Sequence, residues 1–344
     1  MQKSKHKLVF WISLLSLVLA LGLSGCGAAT DQKVETAPKE KPTLVLADPG
    51  WDSVQFNNSV IQFIAEKGYG YKTDVISGSS PITFAAFVKG DIDIYSELWI
   101  DNIKDAYDKA IKDGTIKAVS VNFDDNAQGL YVPTYLIKGD PARGIKPLAP
   151  NLKSVKDLPK YWELFKDQEV PTKGRIYGAP PGWEVDKILQ TKIKNYGLDT
   201  TYNYFSPGSD TALSTSMSKA YEEGKPWLGY YWEPTWIMGK YDMTLLTDTP
   251  FDEALWNDGY KCEFAPSSVT VGVSKGMETK APDVVKFLSH YKTSNALLNE
   301  ALAYMQDNKA DVDQTAIWFL KNHTSLWTPW VPSEVADKVN AALK

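Results

Sequence analysis

The sequence predicts a bilobal α/β protein, with two parallel-sheet lobes joined by a hinge that the chain crosses twice. Three observations lead there. Short apolar runs alternate with segments of helical period between 43 and 98, the same alternation restarts after 150, and a strand-like run at 267–274 leads back towards the first unit. Alternating strands and helices are the pattern of a parallel sheet, because parallel neighbours need a crossover long enough to hold a helix.

The elements follow in order. Residues 43–47 (Thr-Leu-Val-Leu-Ala) read as a buried strand, with Asp48-Pro49-Gly50-Trp51 as the turn at its end. Val54, Ile61, Ile64 and Ala65 share one helical face over 54–67, which closes at Gly68. A second strand at 71–76, a helix at 81–89 closed by Gly90 and a third strand at 91–98 complete the first unit. Residues 128–137 form an extended, β-rich segment leading out of it. The second unit has a segment at 155–165, a strand at 175–179 and the turn Pro180-Pro181-Gly182. Helices follow at 183–196 and 211–223, ending at Gly197 and Gly224, and then a strand at 227–232. Val269, Val271 and Val273 alternate in the returning strand. The tail, 282–343, is a run of helices interrupted near Asn308 and Thr328-Pro329, and no repeat of fixed period is present. Lobe 1 is therefore expected at 43–132 and 270–344, and lobe 2 at 133–269. A ligand in such a fold sits between the lobes, at the carboxyl ends of the strands.

The first segment reads as an address. Lys3, Lys5 and Lys7 precede an apolar stretch at 8–23 that ends in Leu23-Ser24-Gly25-Cys26. Small residues followed by Cys resemble the lipobox of bacterial lipoproteins. The expectation is a signal peptide over 1–25, lipidation at Cys26, a polar tether over 26–42 and a chain held outside the cytoplasm on a cell membrane by its lipid. The competing readings are a plain secretory signal and a membrane anchor, but a span needs roughly 20 apolar residues.

Composition removes several function classes. The formal net charge of −5, less the three leader lysines, leaves −8. An acidic exported protein lacks the basic patches that nucleic acid or anionic lipid requires. Beyond Cys26 the only cysteine is Cys262, so no intrachain disulfide is expected; it reads as a buried filler, or else as a free thiol near the ligand. His6 lies in the leader, and His290 and His323 sit in no metal-ligand pattern. No nucleophile elbow, phosphate loop or zinc motif is found, so neither an enzyme nor a cofactor or metal is expected.

Tryptophans carry the functional signal. They punctuate three separated segments, Ser96-Glu97-Leu98-Trp99, Pro180-Pro181-Gly182-Trp183-Glu184 and Tyr230-Tyr231-Trp232-Glu233-Pro234, each at a strand end or turn. Core packing would account for buried tryptophans singly. Three indoles meeting in one cleft would instead box a cation that has no N–H to donate, as a quaternary ammonium does. Trp51, Tyr230 and Tyr231 are candidates for extra walls, whereas Trp236 reads as structural support.

With these motifs, Gly224-Lys225-Pro226 before the third and Ala127-Gln128-Gly129-Leu130-Tyr131, the chain resembles the glycine betaine and proline betaine binding proteins of osmoprotectant ABC importers. The resemblance covers 43–344. It implies the type II periplasmic-binding-protein fold, and partnership with a membrane permease and its ATPase. It also implies an aromatic box of Trp99, Trp183 and Trp232, with the ligand carboxylate held by the backbone N–H groups of Glu184 and Val185. The sequence departs from the family in two respects. Some members place a histidine shortly after the first box tryptophan, where this chain has Ile100-Asp101-Asn102. It also carries Glu97, Glu184 and Glu233 where members often have uncharged residues. Carboxylates facing the cleft would repel a ligand carboxylate and welcome a pure cation, which keeps choline or another cationic amine open. From another class, tryptophans also stack on sugars, and Glu184 with Glu233 could serve as the carboxylate pair of a carbohydrate-active protein. An amino-acid receptor would aim an arginine at the α-carboxylate, but neither Arg143 nor Arg175 lies in a box motif.

Overall fold

The computed structural model describes residues 40–265 and 267–344. The expected signal peptide, Cys26 and nearly all of the expected tether lie outside the described residues. Among the described residues, ten strands form two five-stranded sheets. The first contains β1 (Thr43–Asp48), β2 (Lys72–Ser77), β3 (Ile94–Leu98), β4 (Ile116–Phe123) and β10 (Val269–Ser274). The second contains β5 (Ala127–Pro133), β6 (Gly174–Tyr177), β7 (Tyr202–Phe205), β8 (Gly229–Glu233) and β9 (Met243–Leu245). Their orders are β2-β1-β3-β10-β4 and β7-β6-β8-β5-β9.

Both sheets are mixed, which corrects the expectation of parallel lobes. β1 pairs in parallel with β2 and β3, and β6 with β7 and β8. β10 runs antiparallel to β3 and β4, and β5 antiparallel to β8 and β9. The reason lies in the crossings. The parallel strands point their carboxyl ends at the cleft, and a strand that has just arrived from the other lobe enters at the cleft, so it must run the opposite way.

The crossings also move the lobe boundaries. β5 belongs to the second sheet, so the first passage falls at 124–126, ahead of the expected break after 132. The second comes just before β10. The elements that position the cleft otherwise lie close to their expected places. One difference is instructive: the helix Asp52–Phe63 continues as a π-helical turn, Ile64–Tyr69, and ends at Gly70 with φ +76°. Gly68 lies inside that turn, where a Cβ would come within 2.6 Å of Val335 Cγ1. It is a packing glycine, and Gly70 is the terminator.

The helix Asp52–Phe63 carries a buried polar stripe that ties the first sheet together. Asn58 Nδ2 donates to the Ala47 carbonyl (2.8 Å), and Ser96 Oγ donates to Asn58 Oδ1 (2.7 Å). Unmade, such buried bonds would each cost about 1–3 kcal/mol. On its outer side this helix packs on the tail helix Val312–Asn322, with Phe56 edge-on to Phe319 at 5.2 Å.

In lobe 2 the turn after β6 is held by Tyr204, whose hydroxyl donates to Asp186 Oδ1 (2.7 Å) and accepts from Ala179 N–H (3.2 Å). A Cβ on Gly178 would lie 2.0 Å from that ring. Gly178→Ala is therefore expected to destabilise the protein by about 1–3 kcal/mol through overpacking. A lowered thermal unfolding midpoint relative to the unmutated chain checks it; an unchanged midpoint contradicts this packing.

Candidate functional site

Four strand ends deliver aromatic rings to the cleft. β1 leads through a short turn to Trp51, β3 ends one residue before Trp99, β6 leads to Trp183, and β8 carries Tyr230 and Trp232. These residues line one cavity between the strand ends. None of the four tryptophans is more than 9% exposed. Trp183 meets Trp51 edge-on at 5.6 Å and 84°, a contact across the cleft, and Trp232 at 5.0 Å and 82°. Trp232 stacks on Tyr230 at 5.8 Å and 20°. Edge-to-face packing keeps ring faces free to border the cavity.

Glu97 organises the lobe 1 half of this cage. Its side chain is fully buried and lines the cavity. Oε2 accepts from Trp51 Nε1 (2.7 Å), Ser53 Oγ (3.0 Å) and, at the longer distance of 3.4 Å, Trp99 Nε1. Oε1 accepts from Asn57 Nδ2 (2.7 Å), and Asn57 Oδ1 accepts from Tyr291 Oη (2.5 Å). Burial pushes the carboxyl above its ordinary range, and the bonds from Trp51, Asn57, Ser53 and Trp99 act against that rise. All four groups donate, which suits an ionised carboxylate.

Glu184 and Val185 also line the cavity, as the first residues of the helix Glu184–Asn195. The first N–H groups of a helix have no intrahelical acceptor and carry partial positive charge, so this edge of the cavity suits an anion. The Glu184 carboxylate is engaged by Lys187 Nζ at 2.9 Å. The lobes touch here through main chain: Ser80 N–H donates to the Gly182 carbonyl at 3.1 Å. Gly182 has φ +97°, and a Cβ there would lie 3.1 Å from Ser79 Cβ, so the turn needs glycine for both its conformation and the closeness of the lobes.

Of the residues singled out from sequence, Trp51, Glu97, Trp99, Trp183, Glu184, Val185, Tyr230 and Trp232 come together around the cavity. Tyr231 and Glu233 do not. Side chains alternate along a strand, so with Tyr230 and Trp232 facing the cavity, 231 and 233 face away. Tyr231 lines a separate small cavity, and Glu233 accepts from Asn295 Nδ2 at 2.8 Å. Glu184 and Glu233 are thus no carboxylate pair across a shared site. Cys262 is fully buried, with Sγ 3.5 Å from the Asp252 carbonyl, and does not line the cavity. Sequence reasoning passed over Ser80, Tyr95, Leu98, Asn102 and Ile103, which also line it. Asn102 had a legible signal: it lies in the short 3₁₀ turn Ile100–Asn102 directly after Trp99.

Comparison with known proteins agrees with this geometry. Residues 42–322 match the family described as the substrate binding domain of the ABC-type glycine betaine transport system. The glycine betaine/proline betaine-binding periplasmic protein of Escherichia coli (strain K12) is 26% identical over 271 residues, 74% of this chain and 78% of that protein. Among solved structures, an ABC-transporter choline binding protein in complex with choline superposes with a TM-score of 0.71. It is 21% identical, over 88% of this chain and 98% of the other. Lactococcal OpuAC in its closed, glycine betaine-bound conformation gives 0.67 at 18% identity, over 85% of this chain and 100% of the other. The bilobal solute-binding fold is common to all three structures, and this chain belongs to the family of substrate-binding domains of ABC-type glycine betaine transport systems.

Proposed function

We propose that this protein captures a quaternary ammonium compound, glycine betaine in the first place, outside the cytoplasm and delivers it to an ABC permease whose ATPase subunits drive import. One observation carries the reading: Trp51 and Trp99 from lobe 1 and Trp183 and Trp232 from lobe 2 border one cavity. A trimethylammonium group offers no N–H, so a hydrogen-bonding pocket gains nothing from it, whereas indole faces attract it at about 2 kcal/mol per desolvated contact. The ligand carboxylate lies against the first N–H groups of the helix Glu184–Asn195, adding roughly 1.5–3 kcal/mol for each charge-assisted bond. After the cost of immobilising the ligand, affinity in the micromolar range follows, about −8 kcal/mol. Because the walls come from both lobes, the ligand binds the closed form better than the open one and shifts the equilibrium towards it. No bond is made or broken by the protein. Cys26 carries the lipid, and residues 27–42 space the lobes from the membrane.

Choline is the second reading, and Glu97 is the observation that favours it. Its buried carboxylate borders the cavity, and among the described residues no lysine or arginine forms an ion pair with it. A buried anion without a counter-ion favours a ligand of net positive charge.

Calorimetric titration with glycine betaine, choline and a neutral sugar tests the assignment. Tight binding of an amine is expected, weakened about 30-fold or more in Trp183→Ala, which corresponds to the loss of one cation–π wall; binding of the sugar alone would sink the proposal. Glu97→Gln is expected to lower choline affinity more than betaine affinity, and an unchanged ratio would remove the choline reading. Cys26→Ser is expected to move the protein from the membrane fraction to the soluble fraction on cell fractionation; retention in the membrane would contradict lipid anchoring.

A further inference from the structure

Behind the wall formed by Trp232 lies a second, smaller cavity with about 200 Å³ of empty space. Two carboxylates line it from opposite lobes. Asp52 is the first residue of the helix Asp52–Phe63 in lobe 1, and Asp210 the first residue of the helix Asp210–Glu222 in lobe 2. Trp232 lines both cavities, so the acidic pair and the box share a side chain. Among the described residues no lysine, arginine or histidine forms an ion pair with either aspartate. The other titratable group lining this cavity is the Tyr231 hydroxyl on β8, held neutral by burial and by the charges of Asp210 and Asp52. The turn at 234–236 and Leu302 of the helix Asn295–Asn308 bring no charge.

We propose that Asp52 and Asp210 make closure of the lobes pH-sensitive: the cleft shuts with one proton held between the two carboxylates, and reopens more readily when that proton is lost. Like charges brought together in a half-buried cavity repel each other, and sharing one proton relieves that repulsion. Each carboxylate stands at a helix N-terminus, which favours the anion, but that effect is small beside a close neighbour of the same sign. The direction of titration agrees. Burial and then the Asp52 charge push the Asp210 carboxyl up to about 8, against a smaller opposing effect of the Asp52 backbone N–H, and burial raises Asp52 as well.

With the lobes apart, both groups meet water and titrate near the ordinary value for aspartate, about 3.9. A group whose pKa is higher in the closed form binds a proton on closing. The stabilisation of the closed form is therefore fully present below the open-state value, and is lost as pH rises through the closed-state value near 8. The ammonium and carboxylate of glycine betaine do not titrate in this interval, so the effect belongs to the protein.

This inference rests on the capture reading for its first readout, and that readout is glycine betaine affinity by calorimetry at pH 6 and pH 9. Affinity about tenfold or more weaker at pH 9 is expected, with net proton uptake on binding at pH 7 when buffers of different ionisation enthalpy are compared. Asp210→Asn and, separately, Asp52→Asn are expected to abolish the slope while binding tightly at pH 9. Equal affinity at both pH values in the unmutated protein, or an undiminished slope in both variants, overturns the inference. Should no amine bind at any pH, the capture reading fails by itself. Small-angle X-ray scattering of the ligand-free protein then decides between the expected smaller radius of gyration at pH 6 than at pH 9, absent in Asp210→Asn, and an equal radius, which overturns the inference.

Discussion

The burial of one carboxylate sets the geometry on which the cleft depends. An anion removed from water must find hydrogen-bond donors in fixed places or give up its charge. Glu97 finds four, and two are the indole N–H groups of Trp51 and Trp99. Those rings could otherwise pivot about their side-chain torsions. Fixing the nitrogen of each restricts the direction its face can take, so the demand of the carboxylate for donors becomes the orientation of the cage. The network continues through Asn57 to Tyr291, which sits beside Trp330 at 4.7 Å. The C-terminal helices thereby help hold a ring that belongs to the other end of the chain.

The second lobe places its rings without a carboxylate bonded to any of them. Trp183 is wedged edge-on between Trp51 and Trp232, and Trp232 lies on Tyr230, whose hydroxyl donates to Gln128 Oε1 at 2.9 Å. Here aromatic packing and strand register place the rings. One half of the cage is thus held by polar bonds and the other by van der Waals contact. The first tolerates little change in shape or charge, and the second tolerates changes that keep volume.

Much of this was legible in the sequence, for definable reasons. β1, β3, β6 and β8 are short runs that end in turns or tryptophans, and that pattern put the rings at strand ends, while the resemblance to the family gathered Trp99, Trp183 and Trp232 into one box. Much of what escaped was long-range. β4 and the helix Lys104–Lys112 were passed over although each carries a period: Val119, Val121 and Phe123 alternate, and Ala106, Tyr107, Ala110 and Ile111 share one helical face. β7 and β9 are too short to stand out. Antiparallel entry of β5 and β10 depends on where the chain comes from, which no local window contains. The exclusion of Tyr231 and Glu233 was available from strand alternation. The meeting of Asp52 with Asp210 was not, because nothing in either segment refers to the other.

The bond from Ser80 N–H to the Gly182 carbonyl joins the lobes through main-chain atoms alone, at the edge of the cavity that Ser80 also lines. Evolution can therefore redecorate the inside of the cage, exchanging one amine for another, without touching the groups that hold the two halves shut. Cargo and outline become separately inheritable. A permease that recognises the shut outline would accept deliveries from a receptor whose taste has drifted, and changes of diet would demand no matching change in the membrane machinery.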